Sequence, residues 1–147
     1  MKDAPQGDLL DAGTLHRLQR NSFGYFLHET NPSNGLVLDK TAPHWPASIA
    51  AIGMALGAYL VAACRNFIKR DAAALRTLTT LRFLADSEQS ESADASGFKG
   101  FYYHFLNMQT GRREWHCELS SIDTAILIAG ALAAAESFDG RDSPRNR

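Results

Sequence analysis

From Ser48 to Cys64 the chain reads S-I-A-A-I-G-M-A-L-G-A-Y-L-V-A-A-C, without one charged side chain. A helix that is apolar on every side must be buried in protein or lie in a membrane. This one falls short of the roughly 20 residues that span a bilayer. Gly53 and Gly57 give it a small-xxx-small pattern that suits close packing between helices in either setting. Its alanine content favours the buried reading, so a membrane span is not expected. A second, almost wholly apolar helix is predicted over Ser121 to Phe138, interrupted only by Asp123 and Glu136. Each is preceded by an amphipathic stretch that can cover it. Thr14 to Glu29 puts Leu15, Leu18, Phe23, Phe26 and Leu27 roughly on one side, and about Asp71 to Ala85 offers Leu75, Leu78, Leu81, Phe83 and Leu84. The order outer, inner, outer, inner predicts an all-α fold built of two helical hairpins.

Long loops lead into both inner helices. Asn31-Pro32-Ser33-Asn34-Gly35 stops the first helix with strong turn residues. The chain then passes through Asp39, His44 and Trp45, loop residues just ahead of a helix, where a rigid scaffold displays function. A turn-capping Asp and a core-plugging Trp would account for the same residues. Asp86 to Ser96 is polar, acidic and poorly patterned, and is expected to be a mobile surface loop or a disordered patch.

The domain is expected over residues 14–140, after a polar lead-in at 1–13 and before a loose charged tail at 141–147, with Asp139-Gly140 ending the last helix. At 147 residues and 45% hydrophobic content, it suits one soluble-type domain or a piece of one. Fifteen basic against sixteen acidic residues leave a charge of -1, so nothing draws it in bulk to nucleic acid or anionic lipid. Cys64 and Cys117 do not suggest a disulfide framework. M-K-D-A-P-Q-G-D has no apolar core of a signal peptide, which makes the cytoplasm the default location for this sequence.

The stretch Gly97 to Gly130 is aromatic in its first half and apolar-helical in its second. Phe101 to Leu106 suits an extended segment. Asn107 to Gly111 reads as a turn with Gly111 free to take positive φ, and Arg112 to His116 would return to make a short β-hairpin. Ser120 and Asp123 fit a capping-box variant at the start of the last helix. Aromatic faces are thus set beside acids at the mouth of a buried helix. A sugar site needs both, one to stack on the ring and the other for acid–base work.

The motifs resemble the bacterial glycoamylase-like domain family, which includes β-1,2-glucan-active enzymes and the matching domain of cyclic β-1,2-glucan synthases. The resemblance rests on N-P-S-N-G-L-V-L-D at Asn31 to Asp39, S-I-A-A-I-G at Ser48 to Gly53 and L-T-T-L-R-F-L at Leu78 to Leu84. It continues in G-F-K-G-F-Y-Y-H-F-L-N-M-Q-T-G-R-R at Gly97 to Arg113, in E-L-S-S-I-D-T-A-I-L-I-A-G at Glu118 to Gly130, and in Phe138-Asp139-Gly140. It implies a six-hairpin α/α toroid acting on β-linked glucan without a metal or other cofactor. Only the N-terminal third of such a domain is matched. The expectation is therefore a fragment that lacks the far wall of its cleft and needs either the rest of the domain or self-association to cover its apolar helices.

Glycoside cleavage takes one carboxylic acid and one carboxylate. The resemblance of E-L-S makes Glu118 the first catalytic candidate and G-L-V-L-D makes Asp39 the second. Trp45, Tyr102, His104 and Trp115 are candidates for stacking or hydroxyl contacts, and core packing explains each of them equally well alone. Asp123 has capping as a competing explanation. Glu114 is discounted as solvated beside Arg112 and Arg113. His116, Cys117 and Glu118 are metal-type side chains, but neighbours in sequence seldom converge on one ion, so no metal site is expected. The expected function is a glycoside hydrolase or transglycosylase module on β-glucan, most plainly β-1,2-linked, inactive in this truncated form. The alternative is a non-catalytic helical piece or interaction module.

Overall fold

A computed structural model describes residues 11–138 of the chain. The expected stop at Asp139-Gly140, the charged tail and most of the polar lead-in lie outside the described residues. Four helices dominate: α1 (Ala12–His28), α2 (Ile49–Cys64), α3 (Arg70–Ala85) and α4 (Ser121–Phe138). The first begins two residues ahead of Thr14 because Asp11 caps it, its carboxylate accepting the Thr14 N–H at 2.7 Å. Ser48 caps α2, and Ser120 Oγ accepts the Asp123 N–H at 3.2 Å in the first turn of α4.

The deepest packing is between α2 and α4. Gly53 on α2 faces Gly130 on α4 so closely that a Cβ on Gly53 would stand 2.5 Å from the Ile126 carbonyl oxygen. Gly57, the other half of the small-residue pattern, meets nothing within 4 Å and plays no part in the crossing. Around it Ile49, Ile52, Leu56 and Tyr59 are fully buried, each worth about 1.5–3 kcal/mol of burial. Both α1 and α3 lie mainly against α2, and α3 touches α4 only lightly. Arg70 bridges them at the far end, donating to the Ser137 carbonyl at 2.5 Å, where the C-terminus of α4 favours a cation.

The faces of the outer helices match the expected ones in part: Phe23, Phe26 and Leu27 on α1 and Leu81, Phe83 and Leu84 on α3 join the core or pack against it. On α3 the buried stripe is Ala73, Thr77, Thr80 and Leu84, while Leu75 is 66% exposed. Thr80 takes the inner face where the loop at Gly35 packs too tightly for a leucine. Thr80 Oγ1 donates to the Arg76 and Gly35 carbonyls, and Gly35, at φ 75°, has no room for a side chain. On α1, Leu15 and Leu18 are exposed and Phe23 is the buried residue. With 18 residues and a mean hydropathy of 1.4, α4 is also long and apolar enough by composition to cross a membrane.

Short strands tie the loops to the N-terminal ends of α2 and α4. They are β1 (Ala47–Ser48), β2 (Gly97–Phe98), β3 (Phe101–Tyr103), β4 (Phe105–Leu106) and β5 (Leu119–Ser120). β3 lies antiparallel between β2 and β5, and β4 pairs antiparallel with β1, Ala47 opposite Leu106. The turn at Asn107 to Gly111 forms as expected, with Gly111 N–H bonded to the Asn107 carbonyl at 2.8 Å and φ 69°. The hairpin itself is curtailed. Its return arm keeps one bridge, Leu106 with Arg113, before Trp115 and His116 turn into positive φ.

Two expectations about loops resolve physically. Asp86 to Ser96 is folded back on β2: Ser96 and Gly97 N–H groups share the Glu88 carbonyl, and Arg112 reaches both Asp94 (2.7 Å) and Glu88 (3.2 Å). Its polar residues satisfy one another instead of trailing in solvent. In N-P-S-N-G, the side-chain amides of Asn31 and Asn34 both donate to the Met108 carbonyl, at 2.8 and 3.0 Å. That motif joins the loop ahead of α2 to the turn ahead of α4.

Candidate active-site rim

His104 is the hinge of the rim. Its carbonyl accepts the N–H of Ile49, the first residue of α2, at 3.2 Å, and its N–H donates to the Glu118 carbonyl at 3.0 Å, just ahead of α4. One residue thus draws the mouths of both helices together. Side chains then run in an unbroken row. Asp39 Oδ2 accepts the Trp45 indole N–H at 3.1 Å. Trp45 meets Trp115 edge to face with centroids 4.8 Å apart, Trp115 meets Phe105 at 5.2 Å, and Phe105 stacks on the His104 ring at 4.0 Å. His104 Nδ1 lies 3.1 Å from Glu118 Oε1, and its Nε2 lies 3.6 Å from Asp123 Oδ2.

Each position has a local cause. Asp39 is held by its N–H on the Pro46 carbonyl, and the Tyr25 hydroxyl anchors the preceding Leu38 carbonyl at 2.5 Å. Lys40 places its ammonium 3.6 Å from the Trp45 ring centroid, a cation–π contact. Trp115, half exposed, and His116 sit at φ 55° and 50°, where non-glycine residues carry strain. Arg113 holds that turn: its guanidinium donates to the Cys117 and His116 carbonyls at 2.7 and 2.8 Å while lying 4.1 Å over Tyr103. Beside Trp45 is an open depression of about 440 Å³, bordered by His44, Asn107, Met108, Gln109 and Glu114.

The Glu118 carboxyl is exposed and held below the ordinary carboxylate range, first by its own backbone N–H and then by the His104 hydrogen bond. Tyr25 is pushed up by burial, with the charges of Asp39 and Glu29 adding to it. Asp123 does not complete the capping box. Its carboxylate leaves the Ser120 N–H alone, and its buried Oδ2 has no hydrogen-bond partner.

Of the residues singled out in the sequence, Asp39, Trp45, His104, Trp115, Glu118 and Asp123 fall in this one row. Tyr102 does not. Its hydroxyl is committed to the Leu84 carbonyl at the end of α3 (2.9 Å) and its N–H to Thr124, so it braces the rim from behind. Glu114 is bound by the Asn107 amide at 3.0 Å, not merely solvated. Sequence reasoning missed Phe105, Lys40 and Arg113. Phe105 was legible as the aromatic neighbour of His104; the grip of Arg113 on carbonyls leaves no signal in residue type. Cys64 and Cys117 are both free thiols. Among the described residues no group of three His, Cys, Asp or Glu side chains is placed to hold a metal ion.

No protein-family model and no curated protein matches the chain. Solved structures do. A glucoamylase-like protein from Bacteroides uniformis is 26% identical with a TM-score of 0.73, over 93% of this chain and 33% of that one. An endo-β-1,2-glucanase from Chitinophaga pinensis, solved with sophorotriose and glucose, is 20% identical with a TM-score of 0.73, over 92% of this chain and 34% of its own. A β-1,2-glucanase from Parabacteroides distasonis is 22% identical with a TM-score of 0.75, over 87% and 18%. The chain is similar in fold to glucoamylase-like proteins and β-1,2-glucanases, and spans about a third or less of their length.

Proposed function

We propose that the chain is a carbohydrate-active module, a glycoside hydrolase or transglycosylase on β-glucan with β-1,2 linkages as the preferred substrate. Its helices form part of a six-hairpin α/α toroid. The observation that carries this reading is the row from Asp39 through Trp45, Trp115, Phe105 and His104 to Glu118, set in the loops ahead of α2 and α4. It sets half-exposed aromatic surface for a sugar ring between a carboxyl group at each end of the row, and glycosidic cleavage uses two carboxyl groups. The fold shared with two β-1,2-glucanases supports the linkage. Glu118 and Asp39 are the catalytic pair in this reading, and Trp45 and Trp115 are the stacking surfaces.

Because the chain spans a third of these relatives, the activity is assigned to it together with further hairpins closing the cleft. The test is a chimera in which this chain replaces the matching third of the Bacteroides uniformis protein. Release of reducing sugar from β-1,2-glucan in preference to β-1,3- and β-1,4-glucan supports the proposal. A folded chimera inert on all three, and not binding their oligosaccharides, overturns it.

A second reading, a non-catalytic helical interaction module, is favoured by one feature. On α4, Ile122, Ile128 and Leu132 are 73%, 51% and 66% exposed, an apolar face without cover. It gains ground if the chain binds a helical protein partner and no glucan.

A further inference from the structure

Glu114 follows two arginines in sequence, yet neither pairs with it. Arg112 is turned to Glu88 and Asp94, and Arg113 to the His116 and Cys117 carbonyls. Among the described residues the Glu114 carboxylate has one partner, the Asn107 amide, which donates to Oε2 at 3.0 Å. No donor among them reaches its Oε1, although the residue is half-buried.

Both groups are fixed in place. The Glu114 N–H donates to the Phe105 carbonyl at 3.0 Å, and Asn107 Oδ1 accepts the Gln109 and Thr110 N–H groups at 3.0 and 3.1 Å. The Asn107 nitrogen is thereby aimed at Glu114 with a second N–H to spare. The pair borders the open depression of about 440 Å³ beside Trp45, with Gln109 and His44 at its edge and Pro43 and Met108 as apolar wall. Such a size and lining suit a small-molecule site. Trp45 belongs to this depression and to the row ending at Glu118, so the two adjoin.

We propose that the depression is a second sugar subsite, which takes an uncharged pyranose unit beside the row, with Glu114 setting the charge preference. That the ligand is a sugar rests on the carbohydrate reading above; its lack of charge follows from the site. A carboxylate without a cation accepts hydroxyl protons in charge-assisted hydrogen bonds, roughly twice as strong as neutral ones. Asn107 and Gln109 add N–H donors for the sugar oxygens. A uronic acid or a phosphorylated sugar would bring its own negative charge against Glu114. At a separation of about 4 Å that repulsion costs about fivefold in affinity at the dielectric constant of water, and more in a half-buried site. A cationic ligand would want the Trp45 ring as well as the carboxylate, and the Lys40 ammonium already lies 3.6 Å from that ring centroid.

Saturation-transfer NMR on the full chain, which tolerates self-association, tests this with methyl β-glucoside, methyl β-glucuronide and tetramethylammonium. Wild type should prefer the glucoside over the glucuronide by at least about fivefold, and E114Q should narrow that ratio by a similar factor. Glutamine still accepts the Asn107 amide through its carbonyl oxygen, and a ratio does not depend on the folded fraction. An unchanged ratio in E114Q, no glucoside binding by wild type, or tetramethylammonium bound more tightly than the glucoside overturns the subsite. Turnover of β-1,2-glucan by the chimera decides the proposed function separately. Turnover with a ratio unmoved by E114Q removes the subsite alone. A ratio relaxed by E114Q beside an inert chimera removes the catalytic reading and leaves the subsite standing.

Discussion

Gly53 and Gly130 meet backbone to backbone where α2 crosses α4, and neither has room for a methyl group. Gly53→Ala should therefore destabilise the fold by the ~1–3 kcal/mol typical of overpacking. Gly57→Ala, one turn along the same helix with open space around it, should be neutral or stabilising by up to about 1 kcal/mol through helix propensity. Urea unfolding of the two variants beside wild type checks the contrast, and equal effects would remove the crossing from the account.

Replacing Glu118 by Gln keeps the shape of the side chain and removes its proton. In the chimeric enzyme, glucan turnover should fall by at least about 10²-fold, the usual contribution of an acid–base group. Oligosaccharide affinity should largely survive. Turnover within a few-fold of the parent would take Glu118 out of the catalytic pair.

Acid should weaken the fold through particular carboxylates. Asp11 is held down by the Thr14 N–H, Asp94 by the Ser92 hydroxyl ahead of Arg112, and Glu118 by its own N–H ahead of His104. A folded-state value below the unfolded one gives stability that is present above the unfolded value and lost as pH falls through the folded one. The loss should thus set in below the ordinary values of 4.5 for Glu and 3.8 for Asp. Melting temperature against pH should fall there, less steeply in a D11N, D94N, E118Q triple variant. Parallel curves would show that other groups govern acid unfolding.

Exposed Ile122, Leu132, Leu75 and Met54 predict that the isolated chain self-associates or is poorly soluble. Light scattering should find oligomers, and Ile122→Gln with Leu132→Lys should shift them toward monomer. A monodisperse wild-type monomer would count against the need for cover.

Much of this was readable in the residues, for identifiable reasons. α2 announces itself because a run without charge favours burial, and the bounds of α4 follow from Ser120 and the end of the apolar run, although Ile122, Ile128 and Leu132 on it stay exposed. The loops ahead of α2 and α4 could be singled out because a rigid scaffold displays function on such loops, while turn capping and core packing account for their Asp and Trp equally well. What stayed hidden depends on partners far along the chain. Nothing local tells that Phe105 and Leu106 pair with Ser48 and Ala47 while their own return arm keeps only the bridge of Leu106 with Arg113. On α3 the expectation held for Leu81, Phe83 and Leu84 and failed for Leu75 and Leu78, because hydrophobicity favours those leucines whereas the tight approach of Gly35 favours Thr80. That His104 stands between two acids follows from strand register, which residue type alone does not encode.

The two asparagine amides on the Met108 carbonyl also set a timetable. Asn31 and Asn34 find that acceptor 77 and 74 residues downstream. At a synthesis rate of about 5–20 residues per second, roughly 4–15 seconds separate the donors from their acceptor. Over that interval α1 and α2 can already pack, yet the loop carrying Asp39 and Trp45 lacks the Met108 carbonyl that its two asparagines clasp. Nascent chains stalled before Met108 should be nicked by protease between Asn31 and Trp45, and chains stalled well beyond it should resist. The rim is thus finished late, as the C-terminal half emerges from the ribosome and clasps a loop made long before.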